Sequence, residues 1–213
     1  YDIAAIQWMY GEQETNVGDT VYDSFDPTTP FAMAIWDSGG VDTIDLSKFI
    51  EDCDLSLVSG TSSTVVCETG GTGWTTGQMV NNLSIAFGTT VENIIAGSGD
   101  DTIVGNNVAN VIVGGTGADT ITTGDGADTV VLRAGDGGAT IADADKITDF
   151  ADGDMLGLDD GLLFSDLTIV QGTGGNASDT VISITAGAEY LAVLDGITAA
   201  NLDEDDFVVV DVV

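Results

Sequence analysis

The chain has 213 residues, enough for one sizeable β domain or two small ones. Against 36 Asp and Glu stand only 3 Lys and Arg, a formal charge of −33, and so few basic side chains exclude nucleic acid and anionic membrane as partners. A chain this self-repelling reads as disordered, yet 43% of it is apolar. Something must therefore neutralise the acids: divalent cations, with a solubilising surface charge of the salt-adapted kind as the plainer alternative.

Tyr1 opens the sequence with neither an initiator Met nor a charged-then-apolar leader, which predicts no N-terminal signal peptide and the tail of a longer protein. Asp2 to Tyr10 reads as a short helix, capped by Asp2, with Ile3, Ile6 and Tyr10 on one face and Gly11 as its stop. From Asn16 to Phe87 the text turns to short strands, such as Ala32 to Trp36 and Val41 to Leu46, punctuated by Gly, Asn, Asp and Ser. Cys53 and Cys67 bracket the turn at Gly60, a spacing that suits a local disulfide in an oxidising compartment; two free thiols are the other option. No apolar run approaches the roughly 20 residues of a membrane-spanning helix.

Gly97 to Val131 carries a nine-residue period. Gly97-Ser98-Gly99-Asp100-Asp101-Thr102-Ile103 is followed by Gly115-Thr116-Gly117-Ala118-Asp119-Thr120-Ile121, preceded by Gly114, and then by Gly124-Asp125-Gly126-Ala127-Asp128-Thr129-Val130. A degenerate copy, Asn106-Asn107-Val108-Ala109-Asn110-Val111-Ile112, lies between the first two. This is the pattern of the calcium-binding parallel β-helix repeat. Six residues make a turn and three a strand, so copies eighteen apart stack at about 4.8 Å. Glycines let the turn carbonyls point inward, and the Asp adds carboxylate oxygen, so a hard cation between two stacked turns collects the six to eight oxygens that calcium prefers. The turn at Gly97 to Asp101 is expected to stack on that at Gly115 to Asp119, and Asn106 to Asn110 on Gly124 to Asp128. The second stack is expected to bind less well, because Asn110 replaces a carboxylate and Val108 a glycine.

After Asp152 short strands return, Leu167 to Val170, Thr180 to Ile184, Tyr190 to Leu194 and Phe207 to Val210, as a sandwich or cap on the central section. The fold class is thus all-β: a parallel β-roll of nine-residue repeats flanked by a β-sandwich, with one short N-terminal helix.

The segment YDIAAIQWMYG at the start, Gly18-Asp19-Thr20-Val21-Tyr22, the stretch from Ile35 to Asp45, Ser84-Ile85-Ala86 and Val91-Glu92-Asn93 together resemble the C-terminal domain of serralysin-type metalloproteases, secreted enzymes with such repeats, called RTX. The resemblance covers essentially the whole chain. It implies two further calcium sites. In one, backbone oxygens of Asn16, Gly18 and Thr20 face Asp37, Gly39, Gly40 and Asp42; in the other, Asp42 is shared with Thr90 and Glu92. Asp145-Lys146-Ile147-Thr148-Asp149-Phe150 and Asp154 resemble the family's closing motif, and Asp203 to Val213, acidic then apolar, resembles the uncleaved signal read by type I secretion systems. The implied division is a linker helix at 1–14 from an absent upstream domain, a β-rich part with irregular calcium sites at 15–90, the roll at 91–150, and a sandwich cap with the secretion signal at 151–213.

The family's zinc proteases carry H-E-x-x-H on their catalytic domain, and this chain has no His. Zinc is therefore expected only upstream, and no base stands ready to activate a Ser or Thr. The expectation is a secreted, extracellular, monomeric, non-catalytic module that binds several calcium ions, with an upstream catalytic domain and a type I secretion apparatus as partners. The alternative is a binding or adhesion module of another secreted protein such as a lyase, lipase or surface-layer protein.

Overall fold

The computed structural model describes residues 14–67, 79–185 and 189–212; the helix expected over Asp2 to Tyr10 lies outside them. Seventeen strands are found among the described residues, and two seven-stranded sheets dominate. The first sheet runs β1 (Val21–Tyr22), β3 (Thr43–Asp45), β7 (Asn93–Ile95), β9 (Val111–Val113), β11 (Thr129–Leu132), β13 (Met155–Leu158) and β17 (Phe207–Val209). All its strand pairs are parallel. The second runs β14 (Leu167–Gln171), β15 (Thr180–Ile184), β16 (Glu189–Leu194), β12 (Asp145–Ile147), β10 (Thr120–Thr122), β8 (Thr102–Val104) and β4 (Asp54–Ser56). It is parallel from β16 to β4 and antiparallel across β14, β15 and β16. A small third sheet, β2 (Met33–Ile35), β6 (Leu83–Ile85) and β5 (Ser62–Ser63), lies in the first half of the chain.

The chain alternates between the two large sheets, as the nine-residue period requires: six residues turn and three extend. Thr102 pairs with Thr120 and Val111 with Thr129, both eighteen apart. The middle residue of each strand faces inward. One sheet stacks Ile44, Ile94, Ile112, Val130 and Leu156 in register, the other Leu55, Ile103, Ile121, Ile147 and Leu194. Each of these is at most 2% exposed, and burial of such a side chain contributes about 1.5–3 kcal/mol. These two aliphatic stacks are the core.

The roll is longer than its recognisable repeats. Coils before Gly97 and after Val131 join the same two sheets while carrying insertions: 48 residues separate the paired Asp54 and Thr102, and 26 separate Thr120 from Lys146 and Thr129 from Met155. The sheets therefore run without a break across 90/91 and 150/151, where the composition of the sequence changes. β5 and β6 of the third sheet lie in the first of these insertions, and the β14–β15 hairpin lies in the 47-residue separation of the paired Asp145 and Ala192.

The expected disulfide is absent, for Cys53 and Cys67 are both free. Each sulfur is engaged elsewhere: Cys53 Sγ donates to the Glu51 carbonyl at 3.3 Å and accepts the Val66 N–H at 3.3 Å, while Cys67 Sγ donates to the Thr29 carbonyl at 3.6 Å. Loop closure across Gly60 is supplied instead by the Asp54–Thr64 bridge.

Candidate metal centres between the stacked turns

The strand register superposes the turns. A Cβ added at Gly115, whose φ is +94°, would run into the Gly97 carbonyl oxygen, and one at Gly117 into that of Gly99. Gly124 and Gly126 sit in the same way against the carbonyls of Asn106 and Val108. Glycine is required at these positions for its left-handed backbone and for the close approach. The carbonyl oxygens of each lower turn therefore lie against the glycines of the next, and that of Gly97 accepts the Thr116 N–H at 3.2 Å. A side chain of Gly114 would collide with the Asp119 carboxylate, which explains a doubled glycine at that copy.

The acidic side chains form two ladders along the roll, each rung accepting the backbone N–H of its counterpart one coil below. On one side Asp101 Oδ1 accepts from Cys53, Asp119 Oδ1 from Asp101, and Asp145 Oδ1 from Asp119, at 2.7, 2.8 and 3.1 Å. On the other, Asp42 Oδ1 accepts from Thr20, Glu92 Oε2 from Asp42, Asp128 Oδ1 from Asn110, and Asp154 Oδ1 from Asp128, at 2.9, 2.8, 2.8 and 3.1 Å. Asp145 and Asp154, which fall out of the nine-residue register in the sequence, stand in ladder register in space because the extra eight residues loop outward.

One carboxylate oxygen takes part in the ladder and leaves the other over. Oδ2 of Asp42, Asp119 and Asp128 is buried with no hydrogen-bond partner among the described residues, and these residues are 0%, 1% and 0% exposed. An unpaired buried carboxylate is strongly disfavoured. Burial accordingly pushes Asp42 and Asp101 up to about 6 and Asp119 up to about 7, and it raises Asp128 and Asp145 as well. Neighbouring carboxylates add to each shift. Among the described residues no three Asp, Glu, Cys or His side chains converge on one point. The available donors are instead pairs of carboxylates with several backbone carbonyls, an all-oxygen set that suits calcium.

The two irregular groups assemble as well. A Cβ on Gly40 (φ +136°) would lie 2.7 Å from the Gly18 carbonyl oxygen, so the Gly39–Gly40 turn rests on the Asn16–Thr20 segment. Asp37 is 2% exposed and accepts the Gly39 N–H at Oδ1 and the Tyr22 hydroxyl at Oδ2, at 3.0 and 2.6 Å. Asn16, at φ +51°, donates its amide to the same hydroxyl at 3.1 Å. Asp42 links this group to Glu92. Thr90 has an exposed side chain, while its neighbour Thr89 is buried and exchanges hydrogen bonds with the Asp37 backbone through Oγ1.

Several participants are hidden from sequence reasoning. The turn Phe49 to Cys53 lies under Gly97 to Asp101 as if it were another repeat: Gly97 abuts the Phe49 carbonyl and Gly99 the Glu51 carbonyl, with Cys53 at the ladder position. It has no glycine and lies 48 residues away, so no local signal reveals it. Asp149 accepts from Thr123 N and Oγ1 and from Gly124 N, fastening the start of the last regular turn. Tyr22 and Thr89 are ordinary residues whose contacts arise only in the fold.

The family described as Peptidase M10 serralysin C terminal matches residues 2–212. Serralysin G of Dickeya chrysanthemi is 39% identical over 115 residues, 48% of this chain and 22% of that protein. Metalloprotease AprA of Pseudomonas entomophila is 37% identical over 114 residues, 48% of this chain and 21% of that protein. These matches span about a fifth of each relative's length. Among solved structures, the AlgE6R2 subunit of the Azotobacter vinelandii mannuronan C5-epimerase overlaps 80% of this chain and 94% of its own, at 20% identity and a TM-score of 0.43, too low a similarity to carry weight.

Proposed function

The chain belongs to the peptidase M10 serralysin C-terminal family, and from that premise we propose that it is a calcium-folded module whose parent is an extracellular zinc metalloendopeptidase exported by a type I secretion system. The observation that carries the calcium reading is the set of buried Oδ2 atoms on Asp42, Asp119 and Asp128 that no described residue satisfies. Calcium, when bound, supplies the positive charge those oxygens lack. The residues that would hold it are the turn carbonyls and carboxylates of Gly97, Gly99, Asp101, Gly114, Gly115, Gly117 and Asp119 on one side of the roll. On the other they are Asn106, Val108, Asn110, Gly124, Gly126 and Asp128, closed by Asp145 and Asp154 at the far end. The groups at Asn16, Gly18, Thr20, Asp37, Gly39, Gly40 and Asp42, and at Asp42, Thr90 and Glu92, would hold it at the near end.

Folding and cation binding are then one event. The oxygens of a site come from turns that meet only when the coils stack, so no site exists in the unfolded chain, and binding stabilises the folded form by RT ln(1 + [L]/Kd). With Kd near 10⁻⁴ M, typical of extracellular modules, about 1 mM calcium contributes roughly 1.4 kcal/mol per site. Where calcium is scarce, the carboxylate ladders repel and the chain stays unfolded, a form able to thread a secretion channel; outside the cell it folds. Zinc chemistry and proteolysis belong to the upstream domain of this reading, and residues 203–213 to the export signal.

The test is far-UV circular dichroism of the chain in EDTA and in rising calcium. A cooperative gain of β signal is expected with calcium, and much less with magnesium, which prefers a rigid octahedral shell that it keeps partly hydrated. Identical spectra in EDTA and calcium would refute the reading.

A further inference from the structure

Between the Val91–Glu92 turn and the Asn106–Asn110 turn, the gap differs from its neighbours on the same side of the roll. Asn106 Nδ2 donates to the carbonyls of Leu57 and Val91 at 3.2 and 2.8 Å. Asn110 Nδ2 donates to the Glu92 carbonyl at 2.8 Å and to Asn106 Oδ1 at 3.1 Å. Both protons of each amide are used. The reversed amide orientations would set oxygen against carbonyl oxygen, so the hydrogen-bond network fixes the direction. Asn106 Oδ1 also accepts the Val108 N–H at 3.0 Å, and Asn110 Oδ1 the Asn106 N–H at 2.9 Å.

A calcium ion needs oxygen lone pairs aimed at a common point. In this gap the carbonyls already receive amide protons, and four N–H bonds point their positive ends at the oxygens a cation would take. The structure assigns to Asn106 and Asn110 a specificity-determining role: they close this one step of the roll with amides in place of a metal and so divide the cation array on that side into a part below Glu92 and a part above Asn110. Asn110 is suited to both neighbours. Its Nδ2 fastens the coil below, while Oδ1 accepts a single hydrogen bond and keeps a lone pair for a cation held with Asp128. A carboxylate could not donate to Glu92. Asn at the ladder position is therefore the residue the step requires, and not a weakened Asp.

The inference rests on the calcium reading above, and one experiment separates their failures. The full chain is crystallised with terbium replacing calcium, and anomalous maps locate the ions. Ions are expected at the Asp101–Asp119 and Asn110–Asp128 steps, with none within about 2.3–2.6 Å of the Glu92 carbonyl oxygen. An ion on Glu92 O overturns the inference and leaves the calcium reading intact; no ion at any step sinks that reading. Asn110→Asp, which makes the step acceptor-only, is expected to bind one more calcium than the wild type by native mass spectrometry, and an unchanged count contradicts the inference. Should that variant fail to fold, side-chain amide exchange by NMR decides on the wild type. The Asn106 and Asn110 amide protons should exchange at least about 100-fold more slowly than those of exposed Asn107, and equal rates overturn the inference.

Discussion

Asp119→Asn should change sign with calcium. The Asn keeps Oδ1 as acceptor for the Asp101 N–H and removes the charge. In calcium, Asp119 faces a step below, with Asp101, and one above, with Asp145; weakening both by the loss of carboxylate oxygen removes up to about 3 kcal/mol at millimolar calcium and Kd near 10⁻⁴ M. Without calcium the same carboxylate is a burden. Its pKa is pushed up to about 7 from 3.8, mainly by burial, which at neutral pH amounts to at most about 4 kcal/mol, shared with the coupled Asp145. The new Nδ2 takes the place of an unpartnered oxygen and returns about 1–3 kcal/mol of that as an unsatisfied donor. The net expectation is a metal-free variant more stable than wild type by about 1–3 kcal/mol; subtracting the lost binding from that gain leaves a calcium-loaded variant less stable by up to about 2 kcal/mol. Urea unfolding followed by circular dichroism measures both, with trimethylamine N-oxide bringing the metal-free chain into range. Destabilisation of equal size in EDTA and in calcium would show that Asp119 acts only through packing and hydrogen bonding.

Protons should substitute in part for the cation. Asp42 and Asp101 titrate near 6 and Asp119 near 7 in the fold, above the ordinary 3.8. Their protonation thus stabilises the folded form fully below about pH 4, and this is lost as pH rises through 6 to 7. In EDTA, β signal should rise as pH falls from 8 toward 4.5, and saturating calcium should flatten the curve; a metal-free chain that loses structure over that range contradicts the pKa assignments. Asp179, held low by the Gly196 N–H, opposes this only at more acid pH. Arg133 bonds Asp159 at 2.9 Å and the Val212 carbonyl at 2.9 Å, and Val212 N–H in turn bonds Asp159. Arg133→Met should cost about 2–3 kcal/mol by leaving Asp159 unpaired and should speed amide exchange over 208–212; unchanged exchange would show that the tail is held by β17 alone.

The sequence made the roll legible where its period is strict. Ile103, Ile112, Ile121 and Val130 stack as the spacing requires, because a nine-residue register leaves one inward residue per strand. Beyond Val131 the same geometry persists with Lys146 and Met155 paired 26 residues on, which local periodicity cannot reveal because strand pairing does not limit loop length. The Phe49–Cys53 turn shows the converse: a stacked turn without glycine, built by its neighbours' backbone contacts. At Asn110 the sequence shows the missing charge but not the Glu92 carbonyl below it, which its Nδ2 bonds at 2.8 Å only in the fold. The disulfide expectation failed for a similar reason, as spacing across a turn says nothing of what each sulfur touches.

On the proposed reading, cations between superposed turns cancel the buried carboxylates and so permit this fold. The dependence of folding free energy on calcium activity counts them: the slope of ln K for folding against ln[Ca²⁺] equals the number of ions taken up on folding. One ion for each of Asp42, Asp119 and Asp128 predicts a slope that rises to about three or more once calcium exceeds Kd, and a slope of zero there would contradict the account.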